Sequence, residues 1–242
     1  MNCLAVDIGN SQISVGWFAE EKLTKRDNRP SHTESIGEVR GWIDEAIQSG
    51  MFVVFGSVVP TLCESLTNGL DASSFHVLEF KDLPLKYNLD KPQSVGIDRL
   101  INSAAAFKKT KGSVIVVGLG TATIIDLVDN DGVYQGGLIF PGIQTMLNSL
   151  SRDAAQLPSL TFSPQEGKIG CSTEEAMLVG VQAATEGAVR SAIADFQEIT
   201  PNPEVIFTGG WSKIFADKSQ IDGLVLPDLT LDGIANFGTK VF

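Results

Sequence analysis

The chain has 242 residues, 43% of them apolar, with 29 acidic against 18 basic side chains and a formal net charge of -11. That length suits one large domain or two smaller ones, with a sizeable core. The acidity and the lack of clustered Lys and Arg argue against a nucleic-acid partner, and repulsion from anionic lipids argues against a membrane surface. The three cysteines, Cys3, Cys63 and Cys171, are far apart and form no CxxC, and His32 and His76 sit near none of them. Neither a disulfide framework nor a structural zinc site is expected. The opening MNCLAVDIGN meets an Asp at position 7, which leaves no room for a signal-peptide core, and no apolar run reaches the ~20 residues of a membrane span. A soluble, cytoplasmic protein is expected.

In chain order, the apolar run at Cys3–Val6 meets a turn around Gly9, and an alternating run follows in which Ile13, Val15 and Trp17 share a face. Val39, Trp42, Ile43, Ala46 and Ile47 have helical spacing closed by Gly50, and MFVVFGSVV is a strand stopped by Pro60. A strand is expected at residues 76–80 and a loop at 81–99, before a helix through Leu100, Ile101, Ala104, Ala105 and Lys108 that ends near Gly112. VIVVGLGTATIIDL repeats the strand, glycine turn and strand of the start. A strand at 133–139 follows, then a long helix opening at Ser172 with capping-box spacing to Glu175, then a strand at 205–207 entering Thr208-Gly209-Gly210, and a terminal loop with a short last segment. Strands alternate with helices, so the class is α/β. Gly9 aligns with Gly120 and Asn10 with Thr121, which suggests two half-domains, 1–110 and 111–242.

Chemistry-bearing residues cluster at these turns. Gly9 lets a ligand approach the backbone, Asn10, Ser11 and main-chain N–H groups can donate to phosphate oxygens, and Asp7 can hold magnesium, usually through water. The plainer reading is a hairpin whose turn favours Asp and Asn. In Ser94-Val-Gly96-Ile-Asp98-Arg99, Asp98 can serve as a general base and Arg99 can grip a carboxylate, or Asp98 can simply cap the next helix. Thr173 can donate to a substrate oxygen or merely cap. Thr208-Gly209-Gly210 offers bare backbone to a flat ring. GIANFGTK, residues 233–240, imitates a phosphate loop but has the wrong residue order and no helix after it.

Taken in order, Asp7-Ile-Gly-Asn-Ser, Ser57-Val-Val-Pro, Tyr87 leading to Gly96-Ile-Asp-Arg, Gly120-Thr-Ala, Gly136-Gly-Leu-Ile-Phe-Pro-Gly, Leu157-Pro, Gly170-Cys-Ser-Thr, Thr208-Gly-Gly and Pro227-Asp-Leu-Thr-Leu-Asp-Gly resemble the type III pantothenate kinase family. The resemblance implies an actin-like, ribonuclease H-like fold in two duplicated halves with a nucleotide cleft between them. It implies phosphoryl transfer from ATP to pantothenate, the first step of coenzyme A synthesis, by a homodimer. By the same resemblance, Asp7, Ile8, Gly9, Asn10, Ser11, Gln12, Ile13 and Ser14 would wrap the ATP phosphates, with Asp7 towards magnesium. Thr121, Gly209 and Gly210 would lie at the nucleotide. Asp98 would be the base, and Tyr87, Gly96, Ile97, Asp98, Arg99 and Thr173 would meet pantothenate. Two departures stand out. The family's acid for a monovalent cation, potassium or ammonium, falls on Gly118, which has no side-chain oxygen. Its small-residue stretch before Leu-Pro is Arg152-Asp153-Ala154-Ala155. An active kinase with an altered cation requirement and a non-catalytic, ligand-binding or regulatory relative are both consistent with these departures. The intact acid and base residues favour the kinase.

Overall fold

The computed structural model describes residues 2–239. The chain divides into two compact units, one reaching to Lys108 and resuming at Asp228, the other running Lys109–Pro227.

In the first unit, β1 (Cys3–Ile8) pairs antiparallel with β2 (Gln12–Ala19), which pairs antiparallel with β3 (Lys22–Pro30). On its other edge β1 pairs parallel with β4 (Phe52–Ser57), and β4 with β5 (Phe75–Val77), in the order β3-β2-β1-β4-β5. Leu4, Val6, Ile8, Ile13, Val15, Val53 and Phe55 point to the face covered by α1 (Thr33–Gln48) and α2 (Pro60–Thr67). The period of two in the strands aligns these side chains with the helical stripe Val39, Ile43 and Ala46. After the short strand β6 (Lys86–Tyr87), α3 (Ile97–Thr110) returns the chain to the other face.

The second unit repeats the pattern strand for strand. β7 (Val114–Leu119) pairs antiparallel with β8 (Ala122–Val128), which pairs antiparallel with β9 (Val133–Pro141). On its other edge β7 pairs parallel with β10 (Glu204–Thr208), and β10 with β11 (Leu224–Val225). Ile115, Val117, Leu119, Ile125, Leu127 and Phe207 form its core with residues of α4 (Ile143–Asp153), α5 (Thr173–Ile199) and α6 (Ser212–Ser219).

The chain departs from the sequence expectation at several places. The half expected to be 111–242 loses its end: α7 (Leu229–Gly238), read as loop and terminal segment, is a helix on the first unit's sheet. Small residues make this possible. A Cβ at Gly56 would fall 2.9 Å from Ile101 and Ile234, one at Gly233 2.5 Å from Ile101, and one at Gly238 2.1 Å from Val54. Ordinary side chains at these positions would hold the helix off the sheet. The decoy sequence therefore lies largely in α7, while Lys240 falls outside the described residues. Pro60 starts α2 at its first position rather than only ending a strand, because its missing N–H is one that a helix start leaves unpaired. β3 was missed because Lys22–Pro30 is almost wholly polar; pairing with β2 makes it a strand.

Candidate functional site

The first hairpin is held from outside itself. Gly9 N–H donates to the Gln12 carbonyl at 3.0 Å, closing the turn, and a Cβ at Gly9 would lie 3.1 Å from the same oxygen. Ser31, which the sequence reading passed over, donates its hydroxyl to the Gly9 carbonyl at 2.6 Å and its N–H to the Ser11 carbonyl at 3.1 Å. Asn10, Ser11 and Gln12 remain exposed on this braced turn, while Ile8, Ile13 and Ser14 are buried beneath it. Gln12 donates its side-chain N–H to Ser14 Oγ at 3.1 Å.

Asp7 stands opposite Ser14 and Gly56 in the sheet register, on the face that α3 and α7 cover. Burial pushes its carboxyl up to about 7, the Asp98 charge pushes the same way, and Arg26 pulls back. Arg26 is itself paired with Asp228. The two acids proposed from separate motifs are thus electrostatic neighbours within one unit.

Asp98 lies in the first turn of α3, one residue inside the helix rather than at its cap. Its Oδ1 accepts the Arg99 N–H at 2.9 Å. A Cβ at Gly96 would lie 2.6 Å from that oxygen, so the carboxylate folds back over position 96 and needs glycine there. This is the physical content of the Gly-x-Asp spacing. Burial raises the Asp98 carboxyl, while the Arg99 N–H and guanidinium restrain it. A carboxylate raised but still ionisable suits a base near neutral pH. Tyr87 is half-buried, with its phenol donated to the Phe80 carbonyl at 2.7 Å.

In the second unit three turns converge at the ends of β7 and β10. The Thr121 carbonyl accepts from Gly142 N–H at 2.9 Å and from the Thr145 hydroxyl at 2.7 Å. Trp211 N–H donates to the Leu119 carbonyl at 3.2 Å, and the Ser212 hydroxyl to the Gly209 carbonyl at 2.7 Å. Gly209 has a φ of 90°, and a Cβ there would sit 2.6 Å from the Leu119 carbonyl. Thr121, Gly209 and Gly210 are therefore brought together, with Thr121 and Gly210 exposed. Thr173 stands on a separate element, exposed at the first position of α5. The cap before it is Ser172, whose Oγ accepts Glu175 N–H at 3.1 Å; the return bond from Glu175 reaches Cys171 N–H at 2.8 Å instead of Ser172.

Two ions are implied by the resemblance. Magnesium fits the first unit, because a divalent charge would relieve the burial and repulsion that raise Asp7. Among the described residues no cluster of three His, Cys, Asp or Glu could hold a metal unaided, so Asp7 would share such an ion with water or a ligand. A monovalent cation does not fit at Gly118. The position has no side-chain oxygen and no charge to offer, and its partner across the ladder is Ile124. Asp126 does not replace it: its register partner is Val116, two pairs farther from the turn than Gly118, and its Oδ1 accepts the Tyr134 phenol at 2.8 Å over Gly137.

The sequence profile of type III pantothenate kinases matches residues 3–195. A type III pantothenate kinase of Dehalococcoides mccartyi is 32% identical over 250 residues, covering 96% of this chain and 93% of that one. Among solved structures, a Campylobacter jejuni protein described as a Baf-family transcriptional activator superposes with a TM-score of 0.66 at 22% identity, over 98% of each chain. A ROK-family glucokinase of Streptomyces griseus, solved with glucose and AMPPNP, superposes with a TM-score of 0.56 at 13% identity, over 99% of this chain and 100% of that one. These two likenesses establish a fold shared with sugar kinases. The profile match and the near-complete coverage by a curated relative establish more: the chain belongs to the type III pantothenate kinase family.

Proposed function

We propose that the chain phosphorylates pantothenate with ATP, giving 4'-phosphopantothenate for coenzyme A synthesis, with Asp98 as the general base. The observation that carries this reading, beside the family match, is the pairing of Asp7 and Asp98 on one face of the first sheet. One is an acid raised to about 7, suited to a metal-bound triphosphate, and the other a carboxylate folded over Gly96 at a helix start.

In the step itself, Asp98 takes the proton of the pantothenate primary hydroxyl as that oxygen attacks the γ-phosphorus. The bond from phosphorus to the bridging oxygen breaks, and ADP leaves with the electron pair. The N–H groups and hydroxyls of the Gly9–Ser14 turn orient the phosphates, and Ser31 keeps that turn in place. Bound with ATP, magnesium would supply charge neutralisation on the phosphate oxygens. Thr121 and the Gly209-Gly210 backbone serve the nucleotide. Arg99, Tyr87, Gly96, Ile97 and Thr173 serve pantothenate, with the Arg99 guanidinium matched to its carboxylate. We read the enzyme as a cytoplasmic homodimer, as the family resemblance implies, and as one whose dependence on potassium or ammonium is weakened by Gly118.

The test is ADP release by the purified protein with magnesium-ATP and pantothenate, in sodium, potassium and ammonium salts in parallel. Pantothenate-dependent turnover supports the reading. Its absence in every salt overturns it and returns weight to a non-catalytic relative.

A further inference from the structure

The segment between β5 and α3 carries Tyr87 on the two-residue strand β6, an edge strand of a sheet. Side chains add to what holds the rest of the segment. Residues 80–82 form a single tight turn, in which Asp82 Oδ2 accepts the Glu79 N–H at 2.9 Å. The same oxygen lies 2.9 Å from His76 Nε2. A carboxylate oxygen can only accept, so the imidazole donates there. His76 belongs to β5, whose partner is β4 in the first sheet. At the other end of the turn the Phe80 carbonyl receives the Tyr87 phenol at 2.7 Å, and the two rings meet edge to face with centroids 6.0 Å apart. Leu83 and Leu85 are buried between these points and fix the intervening chain.

A continuous path thus runs from the sheet to Tyr87: imidazole, carboxylate, one turn of backbone, carbonyl, phenol. We propose that His76 is a positioning residue, fixing through Asp82 and the Phe80 carbonyl the place and the polarity of the Tyr87 phenol. The proposal rests on the reading that Tyr87 meets pantothenate. It adds a chemical restriction. The phenol proton is spent on the Phe80 carbonyl, so the oxygen faces a ligand as an acceptor. Burial pushes the phenol up to about 12, so it keeps that proton throughout the working pH range. Tyr87 therefore recognises a hydroxyl or amide N–H of the substrate rather than its carboxylate.

The experiment is steady-state kinetics on His76→Ala, Tyr87→Phe and their double variant, with calorimetric titration of pantothenate and thermal melts beside them. His76→Ala should raise KM for pantothenate about tenfold, the effect of one neutral hydrogen bond, with kcat and KM for ATP within about twofold of wild type. The double variant should be no worse than the more affected single one, because both act through one path. His76→Gln, whose side-chain N–H can reach Asp82, should recover most of the loss, and it serves as the test variant if His76→Ala fails to fold. Multiplicative losses in the double variant, an equal loss in KM for ATP, or an unchanged KM for pantothenate overturn the proposal while leaving the kinase reading intact. Wild-type protein with no pantothenate-dependent turnover overturns both.

Discussion

Asp7→Asn should stabilise the protein without ligand and abolish its use of ATP. The carboxyl is pushed up to about 7 in the folded chain, against an ordinary value of 3.8, chiefly because burial disfavours its charge. Below 3.8 the group is protonated folded or unfolded and costs nothing. Between the two values the unfolded chain gives up its proton while the folded chain keeps it, so stability falls as pH rises, and the loss is complete above 7. At 1.36 kcal/mol per unit, the full penalty is about 4 kcal/mol. Roughly a third of it is present at pH 5 and the rest accumulates by pH 8, so the advantage of the variant over wild type grows by about 3 kcal/mol across that interval. For a chain of this size the growth corresponds to roughly 6–12 °C in melting temperature. Asn matches the volume of Asp and cannot ionise, so the difference reports this carboxyl together with its coupling to Asp98 and Arg26. Thermal melts at pH 5 and pH 8, with and without magnesium-ATP, provide the assay. Magnesium-ATP should raise the wild-type melting temperature at pH 8, when the ion compensates an ionised Asp7, and should raise that of the variant far less. Wild-type and variant melting temperatures that keep a constant gap between the two pH values would refute the buried, strained carboxyl and with it the electrostatic case for a metal there.

Asp98→Asn should lower kcat by about two to four orders of magnitude, the usual loss on removing a general base, with a melting temperature at neutral pH no lower than that of wild type, because burial raises this carboxyl too; kinetics and a melt decide it. Gly118→Asp should fold normally, since a Cβ there meets nothing nearer than Ile124 at 3.8 Å and the position has no positive φ, and it should introduce activation by potassium over sodium in the ADP-release assay. Gly209→Ala should destabilise by about 1–3 kcal/mol, read by denaturant melts, because its φ of 90° and the Leu119 carbonyl 2.6 Å away both oppose a Cβ.

Local chemistry was legible in the sequence wherever the causes lie a few residues apart. An apolar run, a glycine and a second apolar run make a hairpin by themselves, and both hairpins stand where they were expected. Gly96 and Asp98 are two residues apart, and their steric relation is written into that spacing. Elements whose cause is remote were not legible. α7 carries Gly233 and Gly238, which oppose a helix on propensity alone; it is helical because those glycines let it lie against Ile101 and Val54, far away in sequence. The brace from Ser31 to Gly9 and the pair Arg26–Asp228 give no local signal. The raised pKa of Asp7 has the same character, since burial in the folded chain produces most of it.

The duplication sharpens what Gly118 means. The strand order β3-β2-β1-β4-β5 recurs as β9-β8-β7-β10-β11 within the six-stranded second sheet, so Asp7 and Gly118 occupy equivalent places, each two residues before the glycine of its turn. The surroundings are not equivalent. The first position carries a carboxylate whose burial makes it demand a cation. The second offers a bare backbone beside Thr208, whose hydroxyl is buried and has no hydrogen-bond partner among the described residues. A neutral hydroxyl and glycine N–H groups can host a polar or anionic ligand atom, but they cannot neutralise a cation. Two copies of one architecture have thus divided their electrostatics. On the proposed reading, the magnesium of a metal-nucleotide complex sits at Asp7, and the turn after Gly118 recognises parts of the ligand that need no counter-ion. The sodium-to-potassium comparison in wild type and Gly118→Asp measures that division directly: a wild-type enzyme as strongly activated by potassium as the variant would mean that oxygens elsewhere in the chain have taken over the cation.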